Sequence, residues 1–150
     1  MRLWEIVDES CIKVDVESTD KEDAIAELVE LLVRAGKVTD RDSVLESLYR
    51  REEEGSTGIG QGVAIPHAKH ESISELIACI GISREGVDFD ATDGEPVHLL
   101  LLIMAEPDNP GPHLACLAEI ARLIKIQGFT RRVTECDTPA KVLEVISGEE

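Results

Sequence analysis

The chain has 150 residues, 43% hydrophobic but only 3% aromatic, and 31 acids against 15 bases give a formal net charge of −16. That length suits one domain, residues 1–150, with a full and mostly aliphatic core. The charge argues against nucleic acid or an anionic membrane surface as partner, since both require clustered cations.

The N-terminus, MRLWEIVDES, lacks the apolar core of a signal peptide, and the longest apolar run, Leu99–Ala105, is far short of a membrane span. A cytoplasmic protein with no direct membrane insertion is expected. Cys11, Cys79, Cys116 and Cys136 show no CxxC spacing and read as small hydrophobes in a reducing compartment.

Residues 11–16 (CIKVDV) alternate like a half-exposed strand. Thr19 and Glu22 form a T-x-x-E capping box for a helix whose apolar face is Ala24, Ile25, Leu28, Leu31, Leu32 and Ala35, with Gly36 as its stop. Thr39 caps a second helix, to about Glu53, with Val44, Leu45, Leu48 and Tyr49 inward. The apolar runs 76–82 and 97–105 suit strands buried on both faces, with Ser83 to Gly86 as the turn after the first. A third helix runs from about Pro112 to Gln127, with Leu114, Leu117, Ile120, Ala121 and Ile124 on one face. Two short helices follow near 130–136 and 139–147, the second opened by Thr138 as N-cap and Pro139 at N1. No repeat, low-complexity tract or linker interrupts the pattern. The fold class is therefore α/β: one domain, with a mixed parallel and antiparallel sheet of about five strands flanked by helices.

The densest chemistry lies in Gly55–Lys69, GSTGIGQGVAIPHAK. Gly58, Gly60 and Gly62 allow close backbone approach and positive φ. Ile65 precedes Pro66 and so favours extended geometry, which holds His67 in place. A dinucleotide fingerprint needs a strand before the glycines and a helix after; here a helix precedes them, and no GK[ST] follows. His67 and His70 keep a metal site in view, but Pro66 and the lack of an HExxH pattern make it weak, so no metal is expected. His98 reads as a core or edge histidine and His70 as a solvated one. His67 and His113 stand at element boundaries beside prolines, where functional groups are often placed. Arg51 ends the second helix next to the glycines. It is either a cation favoured by the helix dipole or part of an anion site built with backbone amides. Spacing alone leaves open whether His113 is a partner of His67 or a polar residue near a helix start.

The run R-E-x-x-x-S-T-G-I-G-x-G-V-A-I-P-H, Arg51 to His67, resembles the signature of type-2 enzyme IIA domains of the bacterial phosphoenolpyruvate-dependent sugar phosphotransferase system. These form the fructose/mannitol class, whose fold also includes the nitrogen-regulatory IIA proteins. The likeness continues through VHLLLLIMAEP, the His113-Leu114 helix start and the closing short helices. It implies that His67 is phosphorylated on Nε2, that His113 lies against it, and that Arg51 contacts the phosphoryl oxygens. It also implies that Thr57, Gly58, Gly60 and Gly62 shape the phosphoryl-binding loop. Ala68 departs from the family's frequent glycine. The implied partners are the histidine-containing phosphocarrier protein and a IIB protein or domain, with no cofactor beyond the covalent phosphoryl group. The alternative is a nitrogen-regulatory role, in which phosphorylation controls binding to a regulatory target; the absence of attached IIB or IIC sequence leans that way.

Overall fold

The two long apolar runs pair with each other in the middle of one sheet. The structure, a computed structural model, describes residues 1–150. Two 3-10 turns, Leu3–Glu5 and Glu9–Cys11, lead into strand β1 (Ile12–Lys13) and helices α1 (Lys21–Arg34) and α2 (Arg41–Glu53). Next come β2 (Gly58–Gly60), β3 (Val63–Ala64), β4 (His67–Lys69), β5 (Ile77–Val87) and β6 (Val97–Ala105). Helices α3 (Pro110–Lys125), α4 (Phe129–Thr134) and α5 (Pro139–Gly148) complete the chain. The order across the sheet is β1-β5-β6-β3-β2, with β4 also on β6. β5 and β6 are antiparallel, β1 is parallel to β5, and both β3 and β4 run parallel to β6. No helix is long and apolar enough to cross a membrane.

Strand periodicity divides the core in two. Leu100, Leu102 and Met104 of β6 face α1 and α2, where Ala24, Ile25, Leu28, Leu32, Val44 and Leu48 meet them. Leu99, Leu101 and Ile103 face α3, α4 and α5, through Cys116, Ile120, Leu123, Phe129, Val133, Val142 and Ile146. Each such aliphatic side chain contributes about 1.5–3 kcal/mol on burial. Gly81 of β5 lets α1 press close to the sheet: a Cβ there would lie 2.7 Å from Leu28 Cδ2 and 2.9 Å from Val16 Cγ2. All four cysteines are buried free thiols. Burial pushes Cys116 up to about 12 and Cys79 well above its ordinary value.

Several expectations shift by small amounts. Asp20 and Asp40 are the N-caps of α1 and α2, accepting from the amides of Asp23 and Ser43, in place of Thr19 and Thr39. Ser83 to Gly86 is not a turn: β5 continues through it with a register shift, and the Gly86 amide donates to Ser83 Oγ at 2.9 Å. The buried stripe of α3 is His113, Cys116, Ile120 and Leu123, which leaves Leu114 64% exposed and Ala121 on the solvent side. The sheet has six strands, because the glycine segment itself supplies β2, β3 and β4. Thr138 caps α5 with Pro139 at its start, as read from the sequence.

Candidate functional site

The position of His67 follows from strand parity. Val63 pairs with Leu99 and His67 with Ile103, so 99 − 63 and 103 − 67 both equal 36. β3 and β4 therefore behave as one strand in constant register, interrupted by Ile65-Pro66 without an inserted residue. Pro66 keeps the ladder through its carbonyl, which accepts the Ile103 amide at 2.9 Å. Ala68 faces the α1/α2 core beside Met104, while His67 takes the parity of Val63, Ile65 and Ile103, the α3 side. There it meets His113 in the first turn of α3, a turn started by Pro110 at its first position. The two imidazole centroids lie 5.4 Å apart at an interplanar angle of 67°, edge to face.

Their environments differ. His67 is half-buried, and its Nδ1–H donates to the Ile65 carbonyl at 2.6 Å. A carbonyl can only accept, so the neutral ring keeps its lone pair on Nε2. His113 is buried, and its Nε2 has no hydrogen-bond partner. Burial, then the nearby His67 and Lys69, lower its pKa from the ordinary imidazole value. Orphaned buried polar atoms are uncommon and call for a functional account.

Three elements close an open cavity of about 410 Å³ around the pair. Ser47, Arg50, Arg51 and Glu54 come from the end of α2, His67, Ala68 and Lys69 from β4, and His113 from α3. Arg51 is held by an Nη1–H bond to the Gly55 carbonyl at 2.9 Å. Arg50 is engaged by Glu46, one turn back. Three cations against the single acid Glu54 make this a basic spot on a chain of net charge −16. Guanidinium and ammonium donors beside a free imidazole nitrogen suit a phosphoryl group.

His67, His113 and Arg51 are thus brought together, but the glycines are not. Gly58, Gly60 and Gly62 do not line the cavity. Gly58 packs against Ala91, Gly60 lies near Asp93, and the Gln61 amide donates to Asp93 at 3.0 Å. They form a hairpin needing positive φ at Gly60, Gln61 and Gly62, and the Gly58 amide donates to Ser56 Oγ at 3.0 Å. Thr57 is buried and bound to Glu52, one residue beyond Arg51. Lys69 belongs to no motif in the sequence, yet strand periodicity puts it on the face of His67, two residues away. His70 is not solvated: it is half-buried, accepts the Ser72 amide on Nδ1 at 3.0 Å and meets Ser43 Oγ with Nε2 at 2.7 Å. A larger groove of about 730 Å³ lies beside His98, whose Nδ1–H is committed to the Ser83 carbonyl, and it contains none of the clustered groups.

Known proteins resemble this chain over most of its length. A fructose-specific EIIABC component of the phosphotransferase system from Bacillus subtilis is 35% identical over 98% of this chain, which spans 23% of that protein's length. A fructose-specific EIIA component from Haloferax volcanii is 35% identical over 91% of this chain and 88% of its own. Among solved structures, the nitrogen regulatory protein IIA-Ntr from Neisseria meningitidis superposes with a TM-score of 0.89 at 32% identity, covering 96% of this chain and 98% of that one. With residues 5–149 matching the family described as phosphoenolpyruvate-dependent sugar phosphotransferase system, EIIA 2, the chain belongs to that family of IIA domains.

Proposed function

We propose that this chain is a phosphocarrier: His67 accepts a phosphoryl group from the histidine-containing phosphocarrier protein and passes it to a IIB component during sugar uptake. The observation that carries this reading is the Nδ1–H bond from His67 to the Ile65 carbonyl, which leaves Nε2 as the free base of a residue lining the basic cavity. The Nε2 lone pair attacks the phosphorus of the incoming phosphoimidazole. The donor's P–N bond breaks, its electron pair returns to the donor nitrogen, and a new P–N bond forms on His67. Such transfer depends on positioning and charge stabilisation. Arg51, with Lys69 and Arg50 close by, faces the phosphoryl oxygens, and the unpartnered Nε2 of His113 supplies a further polar contact. Donor and acceptor are both protein side chains, so the reaction needs no cofactor beyond the group transferred.

The Bacillus relative's name joins A, B and C components, which supports a IIB acceptor. Incubation with phosphoenolpyruvate, enzyme I and the phosphocarrier protein should add one acid-labile phosphoryl group by intact mass. His67→Gln should abolish the gain, and an unmodified wild-type chain refutes the proposal. Passing the label to a fructose IIB domain separates the transport role from the alternative, a nitrogen-regulatory protein that keeps the group and controls a binding partner.

A further inference from the structure

Glu52 is a carboxylate where the helix pattern offers easier choices. It is 8% exposed, while its neighbours Glu53 and Glu54 are exposed. Removing a carboxylate from water is costly, and stability alone would be served as well by an apolar side chain. Glu52 uses both of its oxygens on one residue: Oε2 accepts the Thr57 amide at 3.1 Å and Oε1 accepts the Thr57 hydroxyl. Lys21, itself largely buried, stands 3.6 Å from Oε2 and 5.6 Å from the Phe89 ring centroid. From Thr57 the connection runs on. Its carbonyl accepts the Ile65 amide at 3.0 Å, and the Ile65 carbonyl accepts Nδ1–H of His67 at 2.6 Å. An unbroken path therefore leads from the residue beside Arg51 to the ring nitrogen that sets the tautomer of His67.

We propose that Glu52 and Thr57 are positioning residues that hold the Arg51 guanidinium and the His67 imidazole at a working separation, a role that rests on the phosphocarrier reading above. The segment after α2 is also tied to the rest of the fold, by the Ser56 hydroxyl donating to the Phe89 carbonyl at 2.6 Å and the Thr92 amide donating to the Gly58 carbonyl at 3.1 Å; the Glu52–Thr57 clamp is what couples it to the buried side of α2 next to Arg51. The clamp fixes where the Ile65 carbonyl lies, and that carbonyl selects the Nδ1–H form of His67. Neither residue touches the transferred group. Misplacement by about 1 Å is enough to slow a transfer reaction by about 100-fold.

The test uses Thr57→Val, which deletes the hydroxyl at nearly constant shape, Thr57→Ser, which restores it, and Glu52→Gln, which weakens the acceptor. Nitrogen-detected NMR of the His67 ring reads the tautomer with no phosphoryl donor present. Wild type and Thr57→Ser should show one tautomer protonated at Nδ1, whereas Thr57→Val and Glu52→Gln should show a mixture. In the phosphoryl assay the same two variants should lose about 10- to 100-fold in rate at saturating donor while the donor KM changes less than 2-fold, and Thr57→Ser should recover most of the rate. An undisturbed tautomer in a folded Thr57→Val or Glu52→Gln protein overturns the proposal. So does a rate loss that Thr57→Ser fails to recover. A wild-type chain that takes no phosphoryl group refutes the phosphocarrier reading instead, and the tautomer measurement then decides the clamp by itself. If Thr57→Val does not fold, Glu52→Gln and Thr57→Ser carry the same comparison.

Discussion

Phosphorylation of His67 should draw a proton onto His113. In the unmodified protein burial holds the His113 ring towards its neutral form, and its Nε2 has nothing to bond. With the ring centroids 5.4 Å apart, a phosphoryl dianion on His67 would lie on the order of 5 Å from the His113 ring. At an effective dielectric of about 40, between the protein-surface and bulk-water values, a dianion and an imidazolium at that distance attract by about 3 kcal/mol. That is roughly a hundredfold in the protonation equilibrium, and it acts against the desolvation that now disfavours the charge. The assay is a pH titration of the His113 Cε1–H resonance with and without phosphoryl on His67. The midpoint should rise on phosphorylation and the stability profile should reverse with it. In the unmodified protein the folded pKa lies below that of the unfolded chain, so stability falls as pH drops below about 6.5. In the phosphorylated protein a raised folded pKa adds stability at low pH that disappears as pH climbs through it. An unmoved midpoint, or one displaced downwards, would refute the electrostatic reasoning and leave His113 as a packing residue.

Other consequences can be measured directly. Arg51→Ala should slow phosphoryl uptake by about 100-fold, as loss of one charge-stabilising donor does elsewhere. Its guanidinium makes one hydrogen bond, to Gly55, so the melting temperature should stay within a few degrees; an unchanged transfer rate would make Arg51 a helix-end cation only. Gly81→Ala should destabilise by about 1–3 kcal/mol, because the new methyl meets Leu28 and Val16; urea unfolding with an unshifted midpoint would contradict that close approach. Burial works to raise the Glu27 carboxyl, but Lys13, Ser18 and the amides of Glu17 and Ser18 together hold it down to about 2. Glu27 therefore stabilises the fold above pH ~4.5 and loses that contribution as pH falls towards 2. Glu27→Gln should cost about 1–2 kcal/mol at neutral pH after solvent screening, and the deficit should vanish in acid; a deficit independent of pH would place its origin in packing.

The parts of the fold that the sequence revealed are those with strong periodicity and no rival signal. The bounds of β6 coincide with the apolar run 97–105, since both faces of that strand are buried and every residue is informative. Helix starts slipped by one residue because Thr19-Asp20 and Thr39-Asp40 each offer two capping side chains, and only the folded backbone selects the aspartate. Apolar periodicity places Ile120, Leu117 and Ile124 of α3 on the core side but misplaces Leu114, which is more apolar than His113, because the helix turns His113 inward towards His67. The glycine hairpin looked like an anion cradle because glycines that permit a tight, positive-φ turn resemble those that approach a phosphate. Chain composition does not tell these uses apart. Arg51, His67 and His113 stand out by motif and boundary position and Lys69 by strand periodicity from His67, whereas the buried Glu52 contact becomes visible only in three dimensions.

The constant register through Val63–Lys69 has a consequence for how this segment can change over evolution. A point substitution there alters a side chain and leaves the ladder intact. Loss or gain of a single residue between Val63 and His67 would reverse the parity of everything after it. The imidazole would then turn into the aliphatic layer beside Met104, and the methyl of Ala68 would take its place opposite His113. The hairpin just upstream already carries a register irregularity between Gly58 and Gly60 and is under no such restriction. Length variation should therefore accumulate before Val63 and stop there, at the point where counting residues becomes equivalent to choosing a side of the sheet.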